Sequence, residues 1–452
     1  MREISPLDGR YAQTVGALGS YFSEHALAEA RCEVELRYLL ALDETEVLPR
    51  LSRDERDRIG AAIGCLSDAE FARIREIERD TQHDVKACEM FLREKLALAH
   101  PEALHFGLTS EDVTNLAYGL ILSRYRDREQ LPQLRRLVAR LTDEAERWAA
   151  SPFPARTHGQ AASPTTYGKE LAVFVSRLVR QGKALECLDF CGKFSGATGT
   201  CAAWVAAAPG IDWLAFSEAF IASLGLEPEP CATQIDDGDK LAEYFSIVQR
   251  LNGILIDLDV DLWEYISRGD LAQAARAGEV GSSTMPHKVN PIHFENSEGN
   301  AALSTALLGA LSAKLTQSRM QRDLSNSTVK RSIGVALAHA FLAVEQTMNG
   351  LSRVTLAEDA ARRHVDEAPE TLAEAYQTIL RAAGVGDAYE TLRELARGRR
   401  VDLAALRAWI ESLNVAPAVK ARLAALEPAD YLGRAAEIAR RAAADARSWL
   451  GR

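Results

Sequence analysis

The sequence predicts an all-α fold built around a central bundle of five long helices, and three observations carry that prediction. From Asp239 onward, apolar residues fall at Leu241, Tyr244, Phe245, Val248, Leu251, Leu255, Leu258, Leu262 and Tyr265, the three-and-four spacing of one helix face. Alanine-rich stretches such as 301–313 supply small side chains that let helices approach closely. Val, Thr and Ile nowhere gather into the alternating pattern of strands.

Taken in chain order, residues 1–108 read as shorter helices interrupted by Gly, Pro and charge, a first flanking domain. Thr109-Ser110-Glu111-Asp112 then supplies a cap and an acidic first turn for a helix over 110–150, kinked or restarted near Pro132. A second long helix is expected to open at Ser163-Pro164, where Pro suits the first helical position, and to run to about Asp189. The third, 239–268, is roughly 40 Å long at about 1.5 Å per residue, a length typical of a bundle or oligomer core. Two more occupy 293–317 and 326–352, closing a central domain over 109–355, and 356–452 forms a second flanking domain. The apolar stripe on 239–268 is too continuous for one bundle to bury, so a tetramer is expected in solution.

Composition narrows the function. The 452 residues carry a net charge of −11 with Lys and Arg scattered, which argues against nucleic-acid binding. An acidic protein still binds an anionic substrate where a few cations converge on one cleft. Seven cysteines without regular spacing favour a reducing compartment. The chain starts without an apolar signal segment and has no run of about 18 apolar residues, so a cytoplasmic protein without membrane contact is expected. Phosphate-loop, dinucleotide and metal-ligand patterns are missing from the sequence, and neither a cofactor nor a metal is expected.

The most informative stretch is Gly278-Glu279-Val280-Gly281-Ser282-Ser283-Thr284-Met285-Pro286-His287-Lys288-Val289-Asn290-Pro291. Its composition alone fits an interhelical loop. Its glycines also fit the hinges of a lid over 278–291, with Lys288 and Asn290 offering charge and amide donors just beyond the hydroxyls. This segment resembles the GSSxMPxKxNP motif of the fumarase, aspartase and argininosuccinate lyase superfamily. Further segments resemble the bacterial-type adenylosuccinate lyases within it. They are Ser5 to Tyr11, Thr81-Gln82-His83-Asp84-Val85-Lys86, Thr109 to Asp112, Arg156-Thr157-His158-Gly159-Gln160, Thr233-Gln234-Ile235 and Gln321 to Arg331.

The resemblance implies three helical domains, with the long helices of four subunits forming one tetrameric bundle and each active site drawn from three subunits. It implies cleavage of succinylated nucleotides to fumarate. His158, expected in a tight turn between two helices, becomes the general acid, because the departing nitrogen needs a proton from a group titrating near neutrality. Ser282 becomes the base, with Lys288 and Asn290 holding the carboxylate that gains charge. Spacing alone leaves Ser283 as a rival. His83 becomes a second functional histidine, beside Asp84, which is expected to fix its tautomer, and Lys86. Gln82 stands where related chains often carry Asn.

For the anionic substrate, the resemblance places Arg10, Tyr11, Arg322, Ser327 and Arg331 on the phosphate and neighbouring groups, and Gln234 and Asn296 on the succinyl part. Arg suits phosphate because its planar fork donates two hydrogen bonds at once. Thr109 and Ser110 would offer hydroxyls and backbone N–H groups at a helix start. The lid motif alone fits argininosuccinate or aspartate elimination too. A catalytically silent helical scaffold is a third reading, opposed by the joint presence of His158, Ser282 and Lys288.

Overall fold

The computed structural model describes residues 3–274, 285, 288–387, 390, 392–393 and 402–451. The described residues are predominantly α-helical, with three short two-stranded pairings among them. The chain divides into two compact units, each discontinuous in sequence: residues 1–133, 182–253 and 299–345, and residues 134–181, 254–298 and 346–452.

The long helices follow the apolar periodicity closely. The third runs Asp239–Arg268, as its spacing requires, and Ile292–Leu315 and Ile333–Leu351 follow. Their predecessor is split into Ser110–Tyr125 and Leu131–Arg147 by a π-helical turn at Arg126–Gln130. Pro132 explains the break: it has no N–H for an i→i−4 bond, so the chain widens one turn before it.

Two expectations need correction. No helix opens at Ser163-Pro164; it starts at Tyr167 and ends at Glu186. Residues 160–166 instead form a strand paired antiparallel with Pro152–Thr157. Strand propensity there is weak, but His158 and Gly159 both take positive φ, +53° and +75°, which matches the two-residue turn that hairpins favour. The second correction concerns the stripe on 239–268. Its Tyr244, Phe245, Val248, Leu255, Leu258 and Leu262 are buried inside a single chain, so that stripe does not itself require a partner.

In the first unit, Glu24–Asp43 packs along Ser110–Tyr125. Tyr38, Phe194, Phe216, Phe220 and the stacked pair Trp204 and Trp213, centroids 5.5 Å apart, build an aromatic core. Buried charges are paired: Lys193 Nζ lies 2.6 Å from Asp112. Asp112 also accepts from the backbone N–H groups of Thr109, Ser195 and Gly196. One carboxylate thereby fixes the start of the 110–125 helix against a turn some 80 residues away.

In the second unit, Phe153 at the base of the hairpin packs edge-on against Tyr265 at 4.8 Å. Leu271–Gln273 pairs with Val354–Leu356, and Leu372, Tyr376, Leu406 and Ile410 form a separate core near the end of the chain. Among the described residues no helix is long and apolar enough to cross a membrane.

Candidate active site

The first unit holds a cleft of about 330 Å³ built from four distant segments, around residues 31, 82–85, 110–118 and 322–331. Its corner is sharp for a local reason. The helix Asp68–Thr81 ends on Gln82 in the left-handed conformation, and His83 immediately caps the next helix, Asp84–Leu96. The ring Nδ1 of His83 accepts from the N–H of Lys86 at 3.2 Å. The proton of the neutral ring therefore sits on Nε2, which faces Ser110 Oγ at 3.4 Å.

Here the expected tautomer control by Asp84 gives way. Asp84 lies 3.9 Å from the ring but is committed elsewhere, to Arg31 at 3.0 Å and Arg331 at 2.9 Å. Burial raises the pKa of its carboxyl, but Arg31, the N–H of Val85 and Arg331 outweigh that and hold it below the usual carboxylate range.

On the opposite wall, Arg322 donates to Gln234 Oε1 at 3.3 Å and to Ser327 Oγ at 3.4 Å. Glu111 Oε2 stands 3.9 Å from the same guanidinium, and its other oxygen accepts from Lys330 at 3.0 Å. Lys330 is fully buried and also reaches Asp236 at 3.2 Å. Burial works against its charge, but the two carboxylates overcome this and push its pKa up, so it stays cationic. Arg31, Arg322, Lys330 and Arg331 line the cleft with Asp84 and Glu111, while Asp236 pairs with Lys330 and Glu24 with Arg331 at 2.6 Å, so four cations stand among four carboxylates. An anion in this cleft would meet cations that carboxylates already hold in place.

The loop that leads into this site is held rigidly. His105 donates from Nδ1 to Glu35 at 2.5 Å, and the carbonyl of Phe106 accepts from both Tyr38 and Trp204. Gly107 follows at φ +71°, where any Cβ would lie 2.1 Å from the Trp204 ring. Thr109 and Ser110 then begin the helix, with Asp112 accepting from the Thr109 N–H at 2.9 Å.

The structure therefore brings Gln82, His83, Asp84, Ser110, Arg322, Ser327 and Arg331 to one cleft, with Gln234 attached through Arg322. Thr109 lies at its edge. Arg10 and Tyr11 do not line it; the exposed Arg10 sits over the Tyr11 ring at 5.9 Å.

His158, Lys288, Asn290 and Asn296 belong to the second unit. His158 is exposed at the hairpin tip rather than between helices. Lys288 is also exposed, Asn290 offers its carbonyl to Gln273 at 3.1 Å, and Asn296 lies just past the first turn of Ile292–Leu315. Ser282 and Ser283 lie outside the described residues. The sequence reading missed Arg31, Glu111, Tyr118 and Lys330. Arg31 was detectable, because it falls between Leu27 and Val34 on the buried face of its helix, where a charge needs a partner.

Comparison with known proteins gives the chain its relatives. The family described as Lyase matches residues 9–303, and the one described as Adenylosuccinate lyase C-terminal matches residues 318–432. The adenylosuccinate lyase of Escherichia coli (strain K12) is 45% identical over 440 residues, 96% of each chain. That of Haemophilus influenzae is 45% identical over 444 residues, covering 96% of this chain and 97% of its own. The Dictyostelium discoideum protein is 41% identical over 447 residues, covering 95% and 96%.

Two solved structures share the fold. The 3-carboxy-cis,cis-muconate lactonizing enzyme from Pseudomonas putida has a TM-score of 0.77 at 22% identity over 96% of this chain and 98% of its own. The fumarate lyase from Mesorhizobium sp. BNC1 has a TM-score of 0.79 at 20% identity over 95% and 97%. With two lyase families matched along most of its length and relatives above 40% identity from end to end, the chain belongs to the adenylosuccinate lyases of the fumarate lyase superfamily.

Proposed function

We propose that this lyase cleaves adenylosuccinate to AMP and fumarate, and the succinylated aminoimidazole carboxamide ribotide to its carboxamide and fumarate. The observation that carries the reading is the cleft in which Arg322, Arg331 and the His83–Ser110 pair converge. The guanidinium forks of Arg322 and Arg331 match the geometry of phosphate and succinyl carboxylates.

The elimination has two proton transfers. Ser282, which as a serine hydroxyl needs cationic and backbone N–H support to become basic, takes a proton from the carbon next to a carboxylate, and that carboxylate gains a second negative charge. Lys288 and Asn290 stabilise the resulting dianion. The C–N bond then breaks, the electron pair leaves with nitrogen, and His158 supplies the proton that makes this departure possible. His83 turns its Nε2 to the substrate from the corner it caps. Arg10 and Tyr11 complete the phosphate contacts, and Gln234 and Asn296 hold the succinyl part. No step requires a cofactor.

The enzyme works as a cytoplasmic homotetramer whose active sites combine residues of different subunits, and its three domains follow 1–108, 109–355 and 356–452. Exposed apolar residues on the long helices, Val260 and Trp263 on one, Leu303 and Val335 on others, support the assembly. Light scattering should report four chains, and a stable, active monomer would refute this.

Fumarate release from each succinylated nucleotide, from argininosuccinate and from aspartate tests the substrate. Turnover of the two nucleotides alone is expected. Release from argininosuccinate or aspartate in their place would move the protein to another branch of the superfamily.

A further inference from the structure

The hairpin that carries His158 is poorly packed where it matters. Phe153, Pro164, Thr165 and Thr166 bury its base, but burial then fades and residues 156–161 are exposed. Beside it lies a cavity of about 460 Å³, bounded by Arg156 and Gln160 of the hairpin and by Asp270, His364 and Thr371. An isolated two-stranded hairpin is marginal in water, so something other than apolar packing has to fix its outer half.

One contact stands at the right place. Ser163, five positions from His158, donates its hydroxyl to Glu374 Oε2. Tyr431 donates to the same oxygen at 3.0 Å. Glu374 sits in the first turn of the helix Ala373–Ala382. Ser163, Glu374 and Tyr431 come from parts of the second unit far apart in sequence, and one carboxylate oxygen joins them.

We infer that Glu374 is a positioning residue for the elimination: with Ser163 and Tyr431 it latches the hairpin so that His158 meets the departing nitrogen. The inference rests on the reading of His158 as general acid. It differs from a general stabilising role in one respect, that the effect passes through His158. The Michaelis constant should therefore move little while turnover falls, since a misplaced proton donor costs chemistry before it costs binding.

The test is a double-mutant cycle read as fumarate release per tetramer, on protein checked for assembly by light scattering. Glu374→Leu should lower turnover about 10- to 100-fold. Glu374→Gln, whose amide oxygen can still accept both hydroxyls, should recover most of it. The double variant His158→Ala/Glu374→Leu should be no slower than His158→Ala alone, because a latch has no effect once the group it holds is gone.

Turnover of Glu374→Leu within twofold of the parent would overturn the inference. So would losses that multiply in the double variant, as a fault unrelated to His158 would give. If Glu374→Leu does not assemble, Ser163→Ala removes the hairpin's side of the latch and carries the same cycle. Near-normal turnover of His158→Ala alone identifies the acid assignment as the failure, independently of the Glu374 comparison.

Discussion

Asp259 is buried in the second unit, 1% exposed, and Thr347 donates to both its oxygens at 2.8 and 3.1 Å. Burial raises its pKa, the Ser297 and Thr347 hydrogen bonds partly offset that, Glu298 adds to it, and the net value is about 8. The folded protein therefore keeps this proton through neutrality, whereas an unfolded aspartate loses it near pH 4. Between those limits the unfolded state binds one proton fewer, so stability falls as pH rises, by about 1.4 kcal/mol per unit. The contribution is fully present below about pH 4 and is lost by about pH 8. At pH 7 the loss reaches about 4 kcal/mol.

Asp259→Asn removes the titration while leaving an oxygen for Thr347 and an amide donor for Ser297. Its urea midpoint, measured against the parent at one protein concentration from pH 5 to 8, should exceed the parent's by the equivalent of about 1.4 kcal/mol at pH 5 and increasingly more toward pH 8. A difference that does not change with pH, or a variant less stable at pH 8, would refute the buried neutral carboxyl.

Three further outcomes are expected. Arg322→Ala should raise the Michaelis constant about 10- to 100-fold, the scale of losing a charge-assisted pair, with the unfolding midpoint nearly unmoved; an unchanged constant removes Arg322 from the site. His158→Ala and Ser282→Ala should each lower turnover at least ~10². Partial dissociation and mixing of these two should restore some activity, because intact sites reform from different chains; a mixture as inactive as its parents rejects shared sites, and near-normal turnover of Ser282→Ala shifts the base to Ser283. Gly107→Ala should destabilise by about 3 kcal/mol or more, since the φ of +71° and the 2.1 Å approach to Trp204 both oppose a methyl group; a midpoint equal to the parent's contradicts that packing.

Local chemistry was legible in the sequence where one segment decides it. The helix at 239–268 follows from periodicity alone, and the cap at Thr109 to Asp112 from its residue types. Segment recognition likewise singled out His83, Ser110, Arg322 and Arg331, which the fold gathers into one cleft. What stayed hidden depends on distant partners. Asp84 beside His83 looks like its orienting carboxylate, and only folding delivers Arg331, 247 positions later, to claim it. The hairpin at 152–166 was missed because Ala and Pro recur through it and no apolar/polar alternation marks it, so its pairing follows from the turn at His158-Gly159 rather than from strand propensity. The stripe on 239–268 showed that the helix is covered without showing by what.

The wide separation of the cleft's segments has a consequence for biosynthesis. Arg31 and Asp84 leave the ribosome early, but Arg322, Lys330 and Arg331 are made last among the lining residues. At roughly 5–20 residues per second, the 247 positions between Asp84 and Arg331 take roughly 10–50 s to translate. For that interval the nascent chain carries Asp84 and Glu111 without their later cations, and Glu111 lacks Lys330 altogether. Any nascent chain stopped short of residue 322 bears Asp84 and Glu111 with Arg31 as the one lining Arg or Lys among the described residues, and so lacks the guanidinium groups of the opposite wall.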